Sequence, residues 1–332
     1  MRGIETIIIG LPVRNEEKSL YLNLKSIREA IVVSRENNIK LMVCINGCTD
    51  KSKFIAEKFR GEHLDFQFEI LESSEGLVAA QRKIVRDTSP GTNIYVFSDA
   101  DIIIDKDSIK LLLEALRSDP NIIVAYAKTK ALYDKKNKSL FHKIALLRNS
   151  QKLLTKRSFF HGRLFATRKW FIPTDNEILR RAKSSKRNST LLKNCGGEAL
   201  LSVDDIFMSS YIMDKYGLDA IKQVENALCY AWALGSLSDW YKRYRRRNIE
   251  MEKMYRWFPE YNHLRPYLNR HTDWEKWART SLKNKMLWIV FLAMQFMFAI
   301  SFRLELFLIN FNFYKSRKQW VITSTTKKSF CV

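Results

Sequence analysis

Apolar residues in the first 130 positions fall into short runs separated by longer stretches of helical spacing. Ile7–Leu11 is a β-branched run stopped by Pro12, which predicts a buried strand. From Glu16 to Arg35 the apolar positions Leu20, Leu24, Ile27 and Ile31 recur at steps of three and four, which predicts a helix. Leu41–Ile45 is a second run closed by the turn Asn46-Gly47, and a short helix is predicted over Lys51–Arg60. Phe66–Leu71 predicts a third strand, followed by Gly76 and a helix ending near Arg86. Ile94–Phe97 predicts a fourth strand that runs directly into Ser98-Asp99-Ala100-Asp101. Ser108–Arg117 predicts a helix with Leu111, Leu112 and Leu116 on its apolar side, stopped by Asp119-Pro120. Alternation of strand and helix implies βαβ units, a parallel sheet and an α/β sandwich. Ligands on such sheets bind beyond the carboxyl ends of the strands. The polar residues after each strand are therefore expected to converge on one crevice: Arg14-Asn15-Glu16, Asn46 to Asp50, Ser73 to Gly76, and Asp99-Ala100-Asp101.

Beyond residue 130 the alternation fades. Lys135–Arg157 is basic and amphipathic, with apolar positions at Phe141, Ile144, Leu147 and Leu154. Gly162–Phe165 predicts a strand, and the polar, basic stretch Arg180–Lys193 predicts a mobile loop. Ser202 with Asp204 and Asp205 has the cap and acidic first turn of a helix running to Lys215. Trp240–Trp257 predicts a strongly basic helix. Met286–Phe302 is uncharged, at the short end for a span of about 20 residues. After Arg303 and Glu305 an apolar aromatic stretch continues to Tyr314. Arg279, Lys283 and Lys285 precede this region, and Lys315, Arg317 and Lys318 follow it, so the flanks give no topology signal. A transmembrane helix, an in-plane or re-entrant pair and a core helix are all compatible with the pattern. Membrane association is the expectation, because apolar surface and basic residues together hold proteins at anionic lipid.

Composition sharpens this picture. The 332 residues are 46% apolar and 28% charged, which suits a packed core. The net charge of +22 is unevenly spread: residues 1–130 hold 19 Lys and Arg against 19 Asp and Glu, so the whole excess lies in residues 131–332. A basic surface meets nucleic acid, anionic membrane or phosphorylated substrates. Nucleic acid explains neither the carboxylate pairs nor the apolar tail and is not expected as a partner. Five cysteines without a CxxC pair argue against a disulfide framework or zinc ribbon and for a reducing compartment. Met1 to Pro12 is too quickly interrupted for a signal peptide and reads as the first strand. Neither GxGxxG after the first strand nor GxxxxGK[ST] anywhere is present, so the usual glycine devices for dinucleotides and NTP hydrolysis are missing.

Asp99 and Asp101 leave a strand into a turn and can face one hard cation such as Mg²⁺ or Mn²⁺, which shares its oxygen ligands with substrate phosphates. They read equally as a turn residue and its solvated neighbour. Asp204-Asp205, after the turn at Gly196-Gly197, is either a charge at a helix N-terminus or a general base for an attacking hydroxyl. His161, a lone histidine, reads as a structural residue or a ligand contact. Arg243, Arg245, Arg246 and Arg247 face phosphates or form a solvated or lipid-facing helix side. Trp232, Trp240 and Trp257 offer a ring face to a ligand or pack in the core, and Cys44 reads as core.

Taken in order, these segments resemble the family 2 glycosyltransferases of GT-A fold. Leu11-Pro12-Val13-Arg14-Asn15-Glu16 is similar to that family's Pro-x-x-Asn-Glu, and Ile45-Asn46-Gly47-Cys48-Thr49-Asp50 to its Asp-Asp-Gly-Ser-Thr-Asp. Gly76 to Lys83 resembles its Gly-x-x-x-Ala-x-Asn helix, Asp99 and Asp101 its Asp-x-Asp, and Val203-Asp204-Asp205 its base motif. Lys242 to Arg246 lies where processive members carry Gln-x-x-Arg-Trp. The likeness spans roughly residues 4–250 and implies a Rossmann-like α/β/α sandwich with a mostly parallel sheet, extended by a basic, apolar helical C-terminus. It implies a nucleotide-sugar donor bordered by Pro12, Arg14, Glu16, Asn46, Gly76, Arg82, Asp99 and Asp101, with a divalent metal at Asp101 and Asp99. It implies Asp205 as general base, Asp204 being the less favoured of the pair, and an acceptor or phosphate side at His161, Gly162, Arg163 and Arg245. Ile45 stands where the family often has an acid, and only Arg245 survives of Gln-x-x-Arg-Trp, which argues for adding a single sugar rather than polymerising.

The expected organisation is a donor half at 1–130, an acceptor and base half at 131–257, and a membrane-associated segment at 258–332. The expected activity is inverting transfer of one sugar to a hydroxyl of a saccharide or lipid-linked acceptor at the cytoplasmic face of a membrane, in building a cell-envelope polysaccharide or glycolipid. A metal-dependent nucleotidyltransferase and a non-catalytic sugar-nucleotide or lipid-binding scaffold are the alternatives.

Overall fold

Ile7, Ile9 and Leu11 alternate with Ile8 and Gly10 along one strand, and both sets are buried, on opposite faces. A strand covered on both sides reads as an unbroken apolar run, which is why this one is legible in the sequence. The computed structural model describes residues 5–74, 76–88, 91–132, 140–150, 155–156, 159–184, 204–268 and 271–310. The anticipated Ser202 cap, Gly196-Gly197, Leu154, Cys195 and the basic flank from Lys315 lie outside the described residues.

In chain order the strands are β1 (Thr6–Val13), β2 (Ile39–Asn46), β3 (Gln67–Ser73), β4 (Thr92–Ser98), β5 (Ile102–Ile104), β6 (Val124–Leu132), β7 (Thr155–Lys156), β8 (Leu164–Thr167), β9 (Ile221–Trp232) and β10 (His271–Thr272). The helices are α1 (Leu20–Ser34), α2 (Ser52–Glu62), α3 (Leu77–Arg86), α4 (Ser108–Ser118), α5 (Leu140–Ser150), α6 (Asp175–Ser184), α7 (Asp204–Tyr216), α8 (Leu237–Trp257), α9 (Arg265–Leu268), α10 (Trp274–Ala278) and α11 (Leu282–Asn310). Eight strands form one sheet in the order β3-β2-β1-β4-β8-β6-β9-β5, and β7 pairs with β10 separately. The β3-β2-β1-β4 half is parallel, as the alternation requires. β8 then runs antiparallel to both β4 and β6. Helices α1, α2 and α4 cover one face of the sheet. Helices α3, α6, α7 and the C-terminal part of α8 cover the other. This is the predicted α/β sandwich, with β6 carrying the sheet across residue 130.

Two features depart from the sequence reading. Residues 175–184 are a helix, so the loop expected over Arg180–Lys193 is absent from 180–184, and the rest of that stretch lies outside the described residues. Asp175 and Glu177 sit in its first turn and Arg181 and Lys183 in its last, which suits the helix dipole, while Ile178 and Ala182 are buried one turn apart. β5, β6 and β9 were not anticipated. β9 starts with exposed or half-exposed Ile221 to Asn226 and becomes a clean alternation only over Ala227–Trp232.

A third apolar cluster holds α11 to the sandwich. Trp288, Phe291, Met294 and Phe298 pack against Ile144 and Leu147 of α5, Ala233 and Leu234 after β9, and Trp240 of α8. Arg245 of α8 grips Glu305 of α11 through two nitrogens, each 2.7 Å from Oε1.

Gly10 is the closest approach in the sheet. A Cβ there would lie 2.6 Å from Cε1 of Phe97 and 3.2 Å from Cδ1 of Ile84, and both side chains are buried. Gly10→Ala is predicted to lower unfolding stability by about 1–3 kcal/mol through overpacking, measured by urea denaturation.

Candidate functional site

The loops at the carboxyl ends of the first two strands are laced together. Asn15 adopts a left-handed conformation (φ 53°), which asparagine tolerates better than most residues. This turns its side chain so that Oδ1 accepts from the Thr49 amide at 2.8 Å. Its own amide donates to Cys48 Sγ, and the Cys48 thiol donates to the Val13 carbonyl. Glu16 N–H donates to Ser52 Oγ at 2.8 Å and Glu17 N–H to Asp50 Oδ2 at 3.0 Å. Pro12 sits opposite Cys44 at the end of β1, and Arg14 and Glu16 are half-buried on the rim just beyond.

Asn46 joins the third loop. It is 3% exposed, and its Oδ1 accepts from the Gly76 amide at 2.8 Å. Gly76 has φ 128°, a conformation that favours glycine, and it opens α3. On α3, Arg82 is engaged by Asp175 at 2.6 Å and by the Pro173 carbonyl at 2.5 Å, which ties α3 to α6.

The fourth loop carries the acid pair. Ala100 is buried, while Asp99 and Asp101 on either side are half-buried. Asn23 of α1 is fully buried, and its Nδ2 donates to the carbonyls of Asp99 (3.1 Å) and Ile102 (2.7 Å). One carboxamide thus fixes both ends of the acidic turn. The sequence reading missed Asn23; the signal was a polar residue inside the apolar stripe of Leu20, Leu24 and Ile27. Ser26 extends the brace by accepting from the Ile104 amide at 3.2 Å.

The second acid motif reaches the same place from the other half of the chain. Because β8 is antiparallel to β4, with Leu164 opposite Ser98, the segment before β8 lies beside the residue after β4. The Asp99 amide donates to the Arg163 carbonyl at 2.8 Å. The neighbouring Gly162 amide donates to Asp205 Oδ2 at 3.3 Å. Bond lengths then keep the Asp205 carboxylate within about 13 Å of the Asp99 backbone. Phe160 N–H donates to Ser209 Oγ, so α7 is tied to this segment a turn further on as well. His161 is half-buried in the same segment. Asp204 begins α7, and its side chain lies outside the described residues. Arg245 is bonded elsewhere, to Glu305.

Behind the acidic turn lies Cys229 of β9. Burial pushes its thiol up to about 11, a hydrogen bond with Thr129 and the charge of Arg163 oppose this, and the charges of Asp99 and Asp101 add to it. The acid pair and Arg163 therefore act on one buried point. Among the described residues no group of three or more His, Cys, Asp or Glu could hold a metal ion. Asp99 and Asp101, both half-buried, offer two carboxylates to a hard divalent ion, which would complete its shell with water and a substrate diphosphate.

Asn23→Leu is predicted to leave the Asp99 and Ile102 carbonyls without their donor. The expected cost is about 1–3 kcal/mol of stability, read by urea unfolding.

A family profile described as "Glycosyl transferase family 2" matches residues 8–185, more than half of the chain. A comparison with curated protein sequences finds no match. Solved structures similar to this one include glucosyl-3-phosphoglycerate synthase from Mycobacterium tuberculosis in complex with Mn²⁺, UDP-glucose and phosphoglyceric acid, 17% identical, covering 75% of this chain and 79% of that chain at a TM-score of 0.46. They also include the mannosyltransferase PcManGT from Pyrobaculum calidifontis with GDP-mannose and Mn²⁺, 17% identical, covering 91% of this chain and 84% of that chain at a TM-score of 0.47. The chain belongs to glycosyl transferase family 2.

Proposed function

We propose that the protein moves a single sugar from a nucleotide-sugar donor to a hydroxyl of a saccharide or lipid-linked acceptor, with inversion at the anomeric carbon. The observation that carries this reading is the shared segment 162–163. It binds the Asp205 carboxylate through one residue and the acidic turn through the next. This proximity supports a base and a diphosphate-binding edge that share one space.

In this reading the nucleoside lies along the rim from Pro12 to Glu16 and Asn46. Asp101, with Asp99 beside it, would hold a divalent ion, Mg²⁺ or Mn²⁺. When bound, that ion neutralises charge on the leaving diphosphate. Asp205 accepts the proton of the acceptor hydroxyl, whose oxygen forms the new bond to the anomeric carbon as the bond to the diphosphate breaks. The Gly162 amide fixes the direction of that carboxylate. His161, Gly162 and Arg163 border the acceptor. The donor half, 1–130, and the acceptor half, 131–257, then meet across one crevice, and the segment 258–332 associates with an anionic membrane at its cytoplasmic face. The basic excess and the apolar α11 support this last point.

Asp205→Asn keeps the shape of the side chain and loses its basicity. It is predicted to lower transfer by about 10²–10⁴-fold while leaving the donor-induced thermal shift in Mn²⁺ nearly unchanged. Release of nucleoside diphosphate is the readout, and wild-type turnover in this variant would overturn the assignment. Asp101→Ala is predicted to remove the metal-dependent part of the donor shift. Release of pyrophosphate instead of a nucleoside diphosphate would identify a nucleotidyltransferase.

A further inference from the structure

Helix α11 is apolar on both sides, yet among the described residues one side is buried against the protein and the other is exposed. Trp288, Phe291, Met294, Phe298 and Phe302 face inward, at steps of three and four. The opposite side presents Leu282, Met286, Ile289, Phe296, Ile300 and Leu304, each about half exposed or more, with Leu282 at 76% and Phe296 at 67%. The helix is long and apolar enough to cross a membrane. Its packing argues against crossing. Trp240 meets Phe291 edge-on at 5.8 Å, Tyr241 and Tyr244 lie against Phe298, and Tyr244 also meets Phe302. Beyond them Arg245 holds Glu305. These contacts join residues 240–245 of α8 to residues 291–305 of α11, so the start of α8 lies against the central and C-terminal part of α11. A spanning α11 would carry that ion pair and the basic residues Lys242, Arg243, Arg246 and Arg247 into hydrocarbon, where charged side chains are costly. The alternative is to strip the whole inner face from its aromatic partners.

We infer that α11 lies in the plane of the membrane, its outer face sunk into the headgroup–acyl boundary of one anionic leaflet and its inner face kept on the protein. This deepens the membrane association proposed above and rests on it. The rim of the face has the matching chemistry. Arg279, Lys283 and Arg303 are exposed near its two ends. Lys285 lies over the Trp277 ring at 5.3 Å, and neighbouring Trp274 is 62% exposed, the position of an interfacial aromatic. A second copy of the chain fits less well, because a two-fold interface would bring these basic rims together. The leaflet also borders the site. The cluster under α11 includes Ala233 and Leu234, which follow β9, and Ala231 of β9 pairs with Ile102, next to Asp101. An acceptor hydroxyl carried on a lipid would be presented at that edge.

The test uses the full chain and sealed vesicles of phosphatidylcholine, with and without phosphatidylglycerol. Wild type should float with the anionic vesicles, and the double variant Ile289→Glu with Phe296→Glu should bind them about tenfold more weakly or worse. Ser281→Cys and Ser301→Cys lie about 30 Å apart along the helix, the thickness of the hydrocarbon core. In a background with Cys48, Cys195 and Cys331 changed to Ser, both should react with an impermeant maleimide added outside. Reaction at one of them only means a spanning helix and overturns the inference. So does a lipid-free dimer that the double variant dissolves. Mn²⁺-dependent donor shifts are read on the same samples, so failure of wild type to float with that shift intact rejects the membrane face alone.

Discussion

Two hydrogen bonds on adjacent residues tie α7 and the turn after β4 to one segment. Asp205 accepts from the Gly162 amide, and the Arg163 carbonyl accepts from the Asp99 amide. Residues 99 and 205 are far apart in the chain, and only the antiparallel insertion of β8 beside β4 brings them to one segment. A fully parallel sheet would send the start of the next strand to the opposite edge. The reversal at β8 thus brings the Asp205 carboxylate of α7 and the acidic turn after β4 to one segment.

The loops at this edge are held by polar side chains that the core has absorbed. Asn23, Ser26 and Asn46 are all buried, and each meets backbone groups that would otherwise be stranded at a strand end. A buried carbonyl without a donor is costly, so these residues are structural and positional at once. They brace the turn that carries Asp99 and Asp101, whose central residue, Ala100, is buried.

The legible parts of the sequence were those whose burial is symmetric. β1, β2 and β4 are covered on both faces and stand out as apolar runs, and the polar residues after them mark the rim. β9 is half-exposed over its first six residues, so its pattern is diluted, and β5 has three residues, too few for any period. α6 is so rich in charge that it resembles a loop until Ile178 and Ala182 are seen on one face. The rim braces were hidden for another reason. Asn23 has its partners at 99 and 102, and Arg245 has Glu305 as a partner 60 positions away, so no local pattern discloses either pairing. The family likeness carried the acids at 99, 101 and 205 to their positions, and the strand-end rule says why two of them sit where they do. The pairing of β8 with β4, unreadable from local sequence, brings the third to them.

The most direct test of a shared cleft is anomalous diffraction from crystals grown with Mn²⁺ and a nucleoside diphosphate. A shared cleft requires a manganese peak in coordination distance of the Asp101 carboxylate, with the diphosphate bound to it and the Asp205 carboxylate facing the open side of the same space. A manganese ion bound away from Asp101, or a diphosphate shut off from Asp205 by protein, would contradict it.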